Sequence, residues 1–329
     1  MELTENKFTL DWFKERAINS IYKIEDGVFD FSDSLLMYIP DSGAEDEYEE
    51  VQTEGGPYYD LVTAPEREYL KRMAEVIVSQ LPNHFEYIDL GPGTAKKEQI
   101  LFDEITRQGK TCVYRPVDIS KRYLDGACSH ASAQGIVVNP LQASFEELPE
   151  LLKRSEVPRF VSIGLTYSNY HPSEILNLLH SILGEEGYAF INSQLRERID
   201  LVQLVEIYRE VAFEMAKSKL ALLGLKEEQI SADYIYTNDG VELWYTVQAL
   251  TPALSSKGVK VGDRLLLFQS LRPSKLKLEQ DLADSRFDET QTLDDGATFV
   301  GALLIKKDEA KELDGLRTRF TRNVKSVGD

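Results

Sequence analysis

The residues best placed to do chemistry lie in three short stretches. In the first, Tyr87-Ile88-Asp89-Leu90 runs into Gly91-Pro92-Gly93-Thr94 and then into a helix-forming segment. A strand that ends in a Gly-x-Gly turn lets a nucleotide-like ligand approach the backbone closely, because glycine carries no Cβ and accepts positive φ. In the second, the strand-like stretch Val113-Tyr114-Arg115-Pro116-Val117 leads to Asp118. A carboxylate at the carboxyl end of a strand can accept from both hydroxyls of a ribose, although an Asp there also suits a helix N-cap. In the third, Ile163 and Gly164 lead into Thr166, Ser168, Asn169 and Tyr170 before Pro172. These present hydroxyls, an amide and an aromatic ring to a substrate, or form a turn that caps the helix starting at Pro172. A dinucleotide-binding turn wants a third glycine where this chain has Lys96, and no phosphate-binding Gly-x-x-x-x-Gly-Lys-Ser/Thr loop is present. An NAD(P)-dependent oxidoreductase is therefore the weaker reading of the turn.

The elements that must position these residues follow from periodicity. Apolar positions at helical spacing predict helices over 65–81, 97–108, 120–129, 145–153, 172–183, 196–224 and 273–284. Short apolar runs predict strands over 85–90, 112–117, 136–138, 159–164, 187–192 and 298–305. Strands alternating with helices imply a mostly parallel sheet covered on both faces, which places all three stretches at one sheet edge. Between 234 and 269 the pattern changes to antiparallel strands over 234–236, 241–249 and 264–269, with Asn238-Asp239-Gly240 as a hairpin turn. The chain thus reads as an α/β domain, residues 64–194 and 272–329, carrying an inserted α+β domain made of residues 1–63 and 195–271. The acidic run 41–56 reads as a solvated loop, with a lid over a ligand as the alternative.

Taken together, the motifs resemble one family, the histidine Nα-methyltransferases of the ergothioneine pathway, which depend on S-adenosylmethionine. Leu90-Gly91-Pro92-Gly93-Thr94-Ala95-Lys96-Lys97 resembles the family's Leu-Gly-Ser-Gly-Thr-x-x-Lys, with Pro92 for Ser and the other fixed residues kept. Pro116-Val117-Asp118-Ile119-Ser120 is similar to its Pro-x-Asp-(Val/Ile)-Ser, and Gly164 to Tyr170 to its Gly-Ser-Thr-x-x-Asn-(Leu/Phe). Ala143-Ser144-Phe145-Glu146 resembles Gly-Asp-Phe-Glu with Ser for Asp, and Val241-Glu242-Leu243-Trp244 resembles Ile-Glu-Met-Trp. The resemblance implies a Rossmann-like class I methyltransferase domain with an inserted α+β substrate-binding domain. It implies S-adenosylmethionine held by Gly91, Gly93, Thr94 and Lys97 at the methionine end, by Asp118 at the ribose and by Ser144 and Phe145 at the adenine. It implies an amino-acid substrate facing Tyr58, Tyr59, Gly164, Thr166, Asn169, Leu243, Phe268 and Ser270, with Asn169 on the reacting amine.

The departures bear on the substrate. The family's imidazole-binding Glu, two residues before a Ser, is Phe268 here, while Ser270 is kept; its neighbouring Met is Leu243, and its substrate Tyr has no clear counterpart. A buried imidazole N–H needs an acceptor that Phe268 cannot supply. The expected activity is methylation of the nitrogen of an amino acid or related small amine other than histidine; a non-catalytic S-adenosylmethionine-binding protein is the alternative.

Composition narrows the partners. Fifty-six acidic residues against 37 basic ones in 329 give a net charge of −19, which opposes contact with nucleic-acid phosphates or an anionic membrane. No apolar run is long enough to cross a bilayer, and Met1 to Lys7 lacks the basic-then-apolar order of a signal peptide. Two cysteines without a Cys-x-x-Cys, and four scattered histidines, predict no metal site and a reducing, cytoplasmic setting. The oligomeric state is not legible.

Overall fold

The computed structural model describes residues 7–37, 39, 49–50, 52–93, 96–152, 155–231, 233–237 and 240–307. In chain order the elements are α1 (Leu10–Asn19), β1 (Tyr22–Glu25), β2 (Val28–Asp30), α2 (Ala64–Gln80), β3 (His84–Leu90), α3 (Glu98–Arg107), β4 (Thr111–Asp118), α4 (Lys121–Ala133), β5 (Val137–Val138) and β6 (Leu141–Gln142). There follow α5 (Leu148–Leu151), β7 (Arg159–Gly164), α6 (Pro172–Ile182), β8 (Gly187–Gln194), α7 (Leu201–Leu222), β9 (Asp233–Tyr236), β10 (Gly240–Thr246), α8 (Pro252–Ser256), β11 (Arg264–Leu271), α9 (Lys275–Ala283), β12 (Glu289–Asp294) and β13 (Phe299–Lys306).

The strands form two sheets. The larger runs β12-β13-β8-β7-β3-β4-β5, with β6 beside β4. β3 pairs in parallel with β4 on one side and β7 on the other, and β8 is parallel to β7. β13 is antiparallel to β8, and β12 to β13. The chain leaves β3 in one direction and returns to its other side at β7, so the strand order reverses at the carboxyl end of β3, where α/β sheets open their ligand crevice. Period-two alternation seats the sheet. Phe85 and Tyr87 pack against α2 and α3, whereas Ile88 and Leu90 pack against α6. Burying each such side chain is worth roughly 1.5–3 kcal/mol.

The second sheet runs β1-β2-β11-β10-β9. β10 is antiparallel to both neighbours, and β2 is parallel to β11. Its core gathers Phe13 of α1, Phe29 and Phe31, Leu204 and Leu220 of α7, and Leu243, Leu265 and Leu267 of its own strands. The N-terminal segment therefore joins the sheet of the inserted block. α1 starts at Thr9, whose hydroxyl accepts from the Trp12 N–H.

Several expected elements shift. The helix read over 145–153 is a 3₁₀ turn, Phe145–Glu147, followed by the single turn α5, because Ser144 caps the first and Pro149 starts the second. The helix read over 196–224 begins with a separate turn, Arg196–Arg198, and only then α7, capped by Asp200. Asn238 and Asp239 of the expected hairpin, Thr94 of the glycine turn, most of the run 41–56 and the tail beyond 307 lie outside the described residues. β12 had no sequence signal: its first four residues are exposed, and an edge strand with a wet face shows no apolar run.

Candidate active site

The glycine turn is built by backbone first. The Gly91 N–H donates to the Val117 carbonyl at 2.9 Å, carrying the β3–β4 pairing one residue past the strand. Gly91 then takes φ +70° and Gly93 φ +52°, conformations that disfavour a side chain. A Cβ on Gly91 would stand 3.5 Å from Thr166 Oγ1 and 3.6 Å from the Phe145 ring. Its absence keeps open the floor that joins two spaces, since Gly91 and Thr166 line both.

One space, of about 50 Å³, is lined by Leu35, Asp118, Ile119, Tyr123, Phe145 and Tyr170. It combines a carboxylate at a strand end with aromatic and aliphatic walls, as a nucleoside requires. One Asp118 oxygen accepts from the Ser120 N–H at 2.9 Å, which fixes the carboxylate over the start of α4. The Phe145 and Tyr170 rings lie 6.2 Å apart. Ser144 does not line this space. Its N–H and hydroxyl donate to Glu147 at 2.9 and 3.0 Å, so it shapes the turn that carries Phe145. Arg16 of α1 donates to Asp33 and Glu146, each at 2.6 Å, and so ties the stretch bearing Leu35 to the Phe145 turn.

The other space, of about 310 Å³, brings Tyr58, Tyr59, Lys97, Thr166, Asn169 and Ser270 together. Gln52, Thr53 and Glu54, from the acidic run, also face it. Neither the Thr166 nor the Asn169 side chain has a hydrogen-bond partner among the described residues. Leu243 and Phe268 do not line the cavity. Leu243 is fully buried, and Phe268 lies one layer behind the wall, its ring 5.6 Å from that of Tyr208. Gly164 lies instead beside a smaller space of about 20 Å³, with Glu66, Asp89, Lys97, Glu98 and Asn192.

Three residues of this cavity's walls and backing escaped the sequence reading. Tyr208 on α7 lines it, and its hydroxyl shares a proton with Ser270 Oγ at 2.9 Å. Behind both, the fully buried Arg272 donates to Ser270 Oγ at 2.8 Å and to the Tyr208 hydroxyl at 3.3 Å. Glu66, in the first turn of α2, accepts from Lys97 Nζ at 2.9 Å and from Asn192 Nδ2 at 3.1 Å. Arg272 lies two residues after the kept Ser270, a spacing that could have drawn notice. Tyr208 and Glu66 sit on helices whose pattern shows only packing.

The acid of the glycine motif itself is closed off. Asp89 accepts from the Tyr114 hydroxyl at 2.7 Å and from Ser162 Oγ at 2.9 Å, and burial pushes its pKa up. Glu98, with one oxygen unpartnered among the described residues, is pushed up to about 8 by burial and by the neighbouring Asp89 carboxylate.

A parallel α/β sheet with its crevice at the strand reversal, a glycine turn, an acid after β4 and an aromatic slot together define a Rossmann-like class I methyltransferase domain. Residues 47–199 match the profile of the histidine-specific, S-adenosylmethionine-dependent methyltransferases. Over 152 residues the chain is 22% identical to the histidine N-alpha-methyltransferase of Mycobacterium tuberculosis (strain CDC 1551 / Oshkosh), covering 45% of this chain and 47% of that protein. The chain thus spans about half the length of the curated relative it matches. Similar solved structures include an S-adenosylmethionine-dependent methyltransferase from Clostridium acetobutylicum ATCC 824, at 11% identity and TM-score 0.41 over 80% of this chain and 98% of that one. Another is human N-acetylserotonin methyltransferase in complex with S-adenosylmethionine, at 13% identity and TM-score 0.40 over 80% and 60%. The region 47–199 thus resembles the histidine-specific, S-adenosylmethionine-dependent methyltransferases. No helix among the described residues is long and apolar enough to cross a membrane.

The residues present fit the cofactor of that family. The open floor at Gly91, which a Cβ would narrow, sits between an aromatic slot and a polar cavity holding Lys97.

Proposed function

We propose that this protein methylates the nitrogen of an amino acid or related small amine other than histidine. The observation that carries this reading is the shared floor at Gly91 and Thr166. It connects a space lined by Asp118, Phe145 and Tyr170 to a polar cavity in which Asn169, Tyr208 and Ser270 stand together. In this reading Asp118 and Phe145 hold the adenosine of S-adenosylmethionine, while Gly91, Gly93 and Lys97 hold its amino-acid end. We assign residues 64–194 and 272–329 to the methyltransferase domain and residues 1–63 and 195–271 to substrate binding. In support, the cavity takes Tyr208 and Ser270 from the second group and Lys97, Thr166 and Asn169 from the first.

Bound there, S-adenosylmethionine supplies an electrophilic methyl group. The chain's own part is to aim a neutral amine at that methyl group. The Asn169 amide oxygen accepts from the amine N–H and so directs the remaining lone pair; holding two reactants in line is worth several orders of magnitude in rate. Water takes the released proton. The Tyr208–Ser270 pair receives the other end of the substrate. Both oxygens accept from Arg272, and of the two hydroxyl protons one is spent between them. The other remains a donor toward the cavity, matched to a carbonyl or carboxylate oxygen. Against histidine stands the sequence at Phe268: the resemblance puts an imidazole-binding carboxylate at that position, and this chain has a ring there that lies behind the cavity wall and supplies no acceptor.

The test is mass spectrometry of the protein incubated with S-adenosylmethionine and a pool of the standard amino acids and common biogenic amines. One compound gaining one, two or three methyl groups names the acceptor. Methylation of histidine would overturn the reading of Phe268, and no gain on any amine or amino acid would overturn the proposed acceptor class.

A further inference from the structure

The methionine end of the cofactor is a zwitterion, and only its carboxylate has a partner so far in Lys97. In acid-x-Gly-x-Gly turns the motif acid is the obvious candidate for the ammonium. Here Asp89 is held by Tyr114 and Ser162 and does not line the 310 Å³ cavity. Glu66 is better placed. It is only 3% exposed, yet it lines both the 310 Å³ cavity and the smaller space beneath it. Its carboxylate is fixed between Lys97 Nζ and Asn192 Nδ2. Gly164, at φ +51° and ψ −149°, lies against the pair, and a Cβ there would stand 3.4 Å from Glu66 Oε1 and 3.5 Å from Lys97 Nζ. The missing side chain leaves access at the ion pair itself.

We infer that Glu66 binds the α-ammonium of the cofactor's methionine end, as the counterpart of Lys97 on its α-carboxylate. This rests on S-adenosylmethionine being the cofactor. Charge decides it. A ligand carboxylate that drew Lys97 away would leave Glu66 as a buried charge without compensation, which is strongly unfavourable. A zwitterion avoids that cost, because its ammonium replaces what Lys97 withdraws and the site's net charge is unchanged. Glu66 has the capacity, since each carboxylate oxygen accepts two hydrogen bonds and each now accepts one from the residues named.

Calorimetric titration tests this with three ligands: S-adenosylhomocysteine, decarboxylated S-adenosylmethionine, and 5′-methylthioadenosine, which lacks the amino-acid end. Glu66→Gln keeps the shape and removes the charge. It is expected to weaken S-adenosylhomocysteine and the decarboxylated ligand about tenfold or more, the worth of a charge-assisted hydrogen bond, while leaving 5′-methylthioadenosine unchanged. Lys97→Met is expected to weaken S-adenosylhomocysteine but not the decarboxylated ligand. Equal loss of all three ligands in Glu66→Gln would show a structural role and overturn the inference, as would no loss of S-adenosylhomocysteine. Wild-type protein that binds none of the three would instead overturn the cofactor assignment on which the inference rests.

Discussion

Glu98 heads α3 directly beneath the glycine turn, and replacing it with Gln tests the electrostatics on which the site is built. The carboxyl is buried, one oxygen has no partner among the described residues, and Asp89 stands nearby. Burial first and the Asp89 charge second raise its pKa from 4.5 to about 8. The native state therefore holds a proton that the unfolded chain releases near 4.5. Between those values the native state binds one proton more, so stability falls as pH rises, by about 1.4 kcal/mol per pH unit. The contribution is fully present below pH 4.5 and is gone above about 8, a total on the order of 5 kcal/mol as a ceiling. Lys219 acts in the opposite sense over a higher range. Burial lowers its pKa from 10.5 to about 7, so its contribution raises stability with pH from 7 upward. The wild-type curve mixes these with the other shifted groups, Asp89 among them, and the difference between wild type and Glu98→Gln isolates the Glu98 contribution. Urea denaturation at pH 5, 7 and 8.5 is the assay. The variant should match wild type at pH 5 and exceed it by several kcal/mol at pH 8.5. A difference that stays constant across the three pH values would refute the reasoning.

Other perturbations address the cavity walls. Gly91→Ala places a Cβ where φ is +70°, at a strain of about 1–2 kcal/mol, and narrows the joint between the two spaces. Titration calorimetry should show S-adenosylhomocysteine binding weakened tenfold or more in a protein that circular dichroism shows folded. Asn169→Ala should lower kcat for the acceptor by about 10²-fold, the scale of misaligned reactants, with S-adenosylhomocysteine affinity unchanged; an equal loss of both would remove it from the reacting amine. Tyr208→Phe leaves Arg272 and Ser270 each short of a partner. It should cost about 1–3 kcal/mol of stability by urea denaturation and raise KM for the acceptor, and an unchanged KM would separate Tyr208 from substrate binding.

The sequence by itself determined the frame of the α/β half. β3, β4, β7 and β8 begin and end within two residues of where apolar runs placed them, because a strand buried on both faces must be apolar along its length. The glycine turn, Asp118 and the 163–172 stretch were legible for a local reason. Each is a short segment whose φ preferences or side-chain chemistry depend on adjacent residues alone. Tertiary structure alone decided which groups meet. Glu66, Lys97 and Asn192 come from the starts of two helices and a distant strand end, and nothing in any of those segments announces the others. Arg272, Ser270 and Tyr208 are joined through the packing of α7 on the second sheet. Leu243 and Phe268 were placed at the substrate by motif, but they sit opposite each other on β10 and β11 and are buried in the core of the second sheet, a burial that no local segment reveals. β2 pairs with a strand more than 230 residues away, a contact fixed by burial of the whole sheet's inner face. Local physics writes motifs into a sequence; long-range packing selects which of them share a cavity.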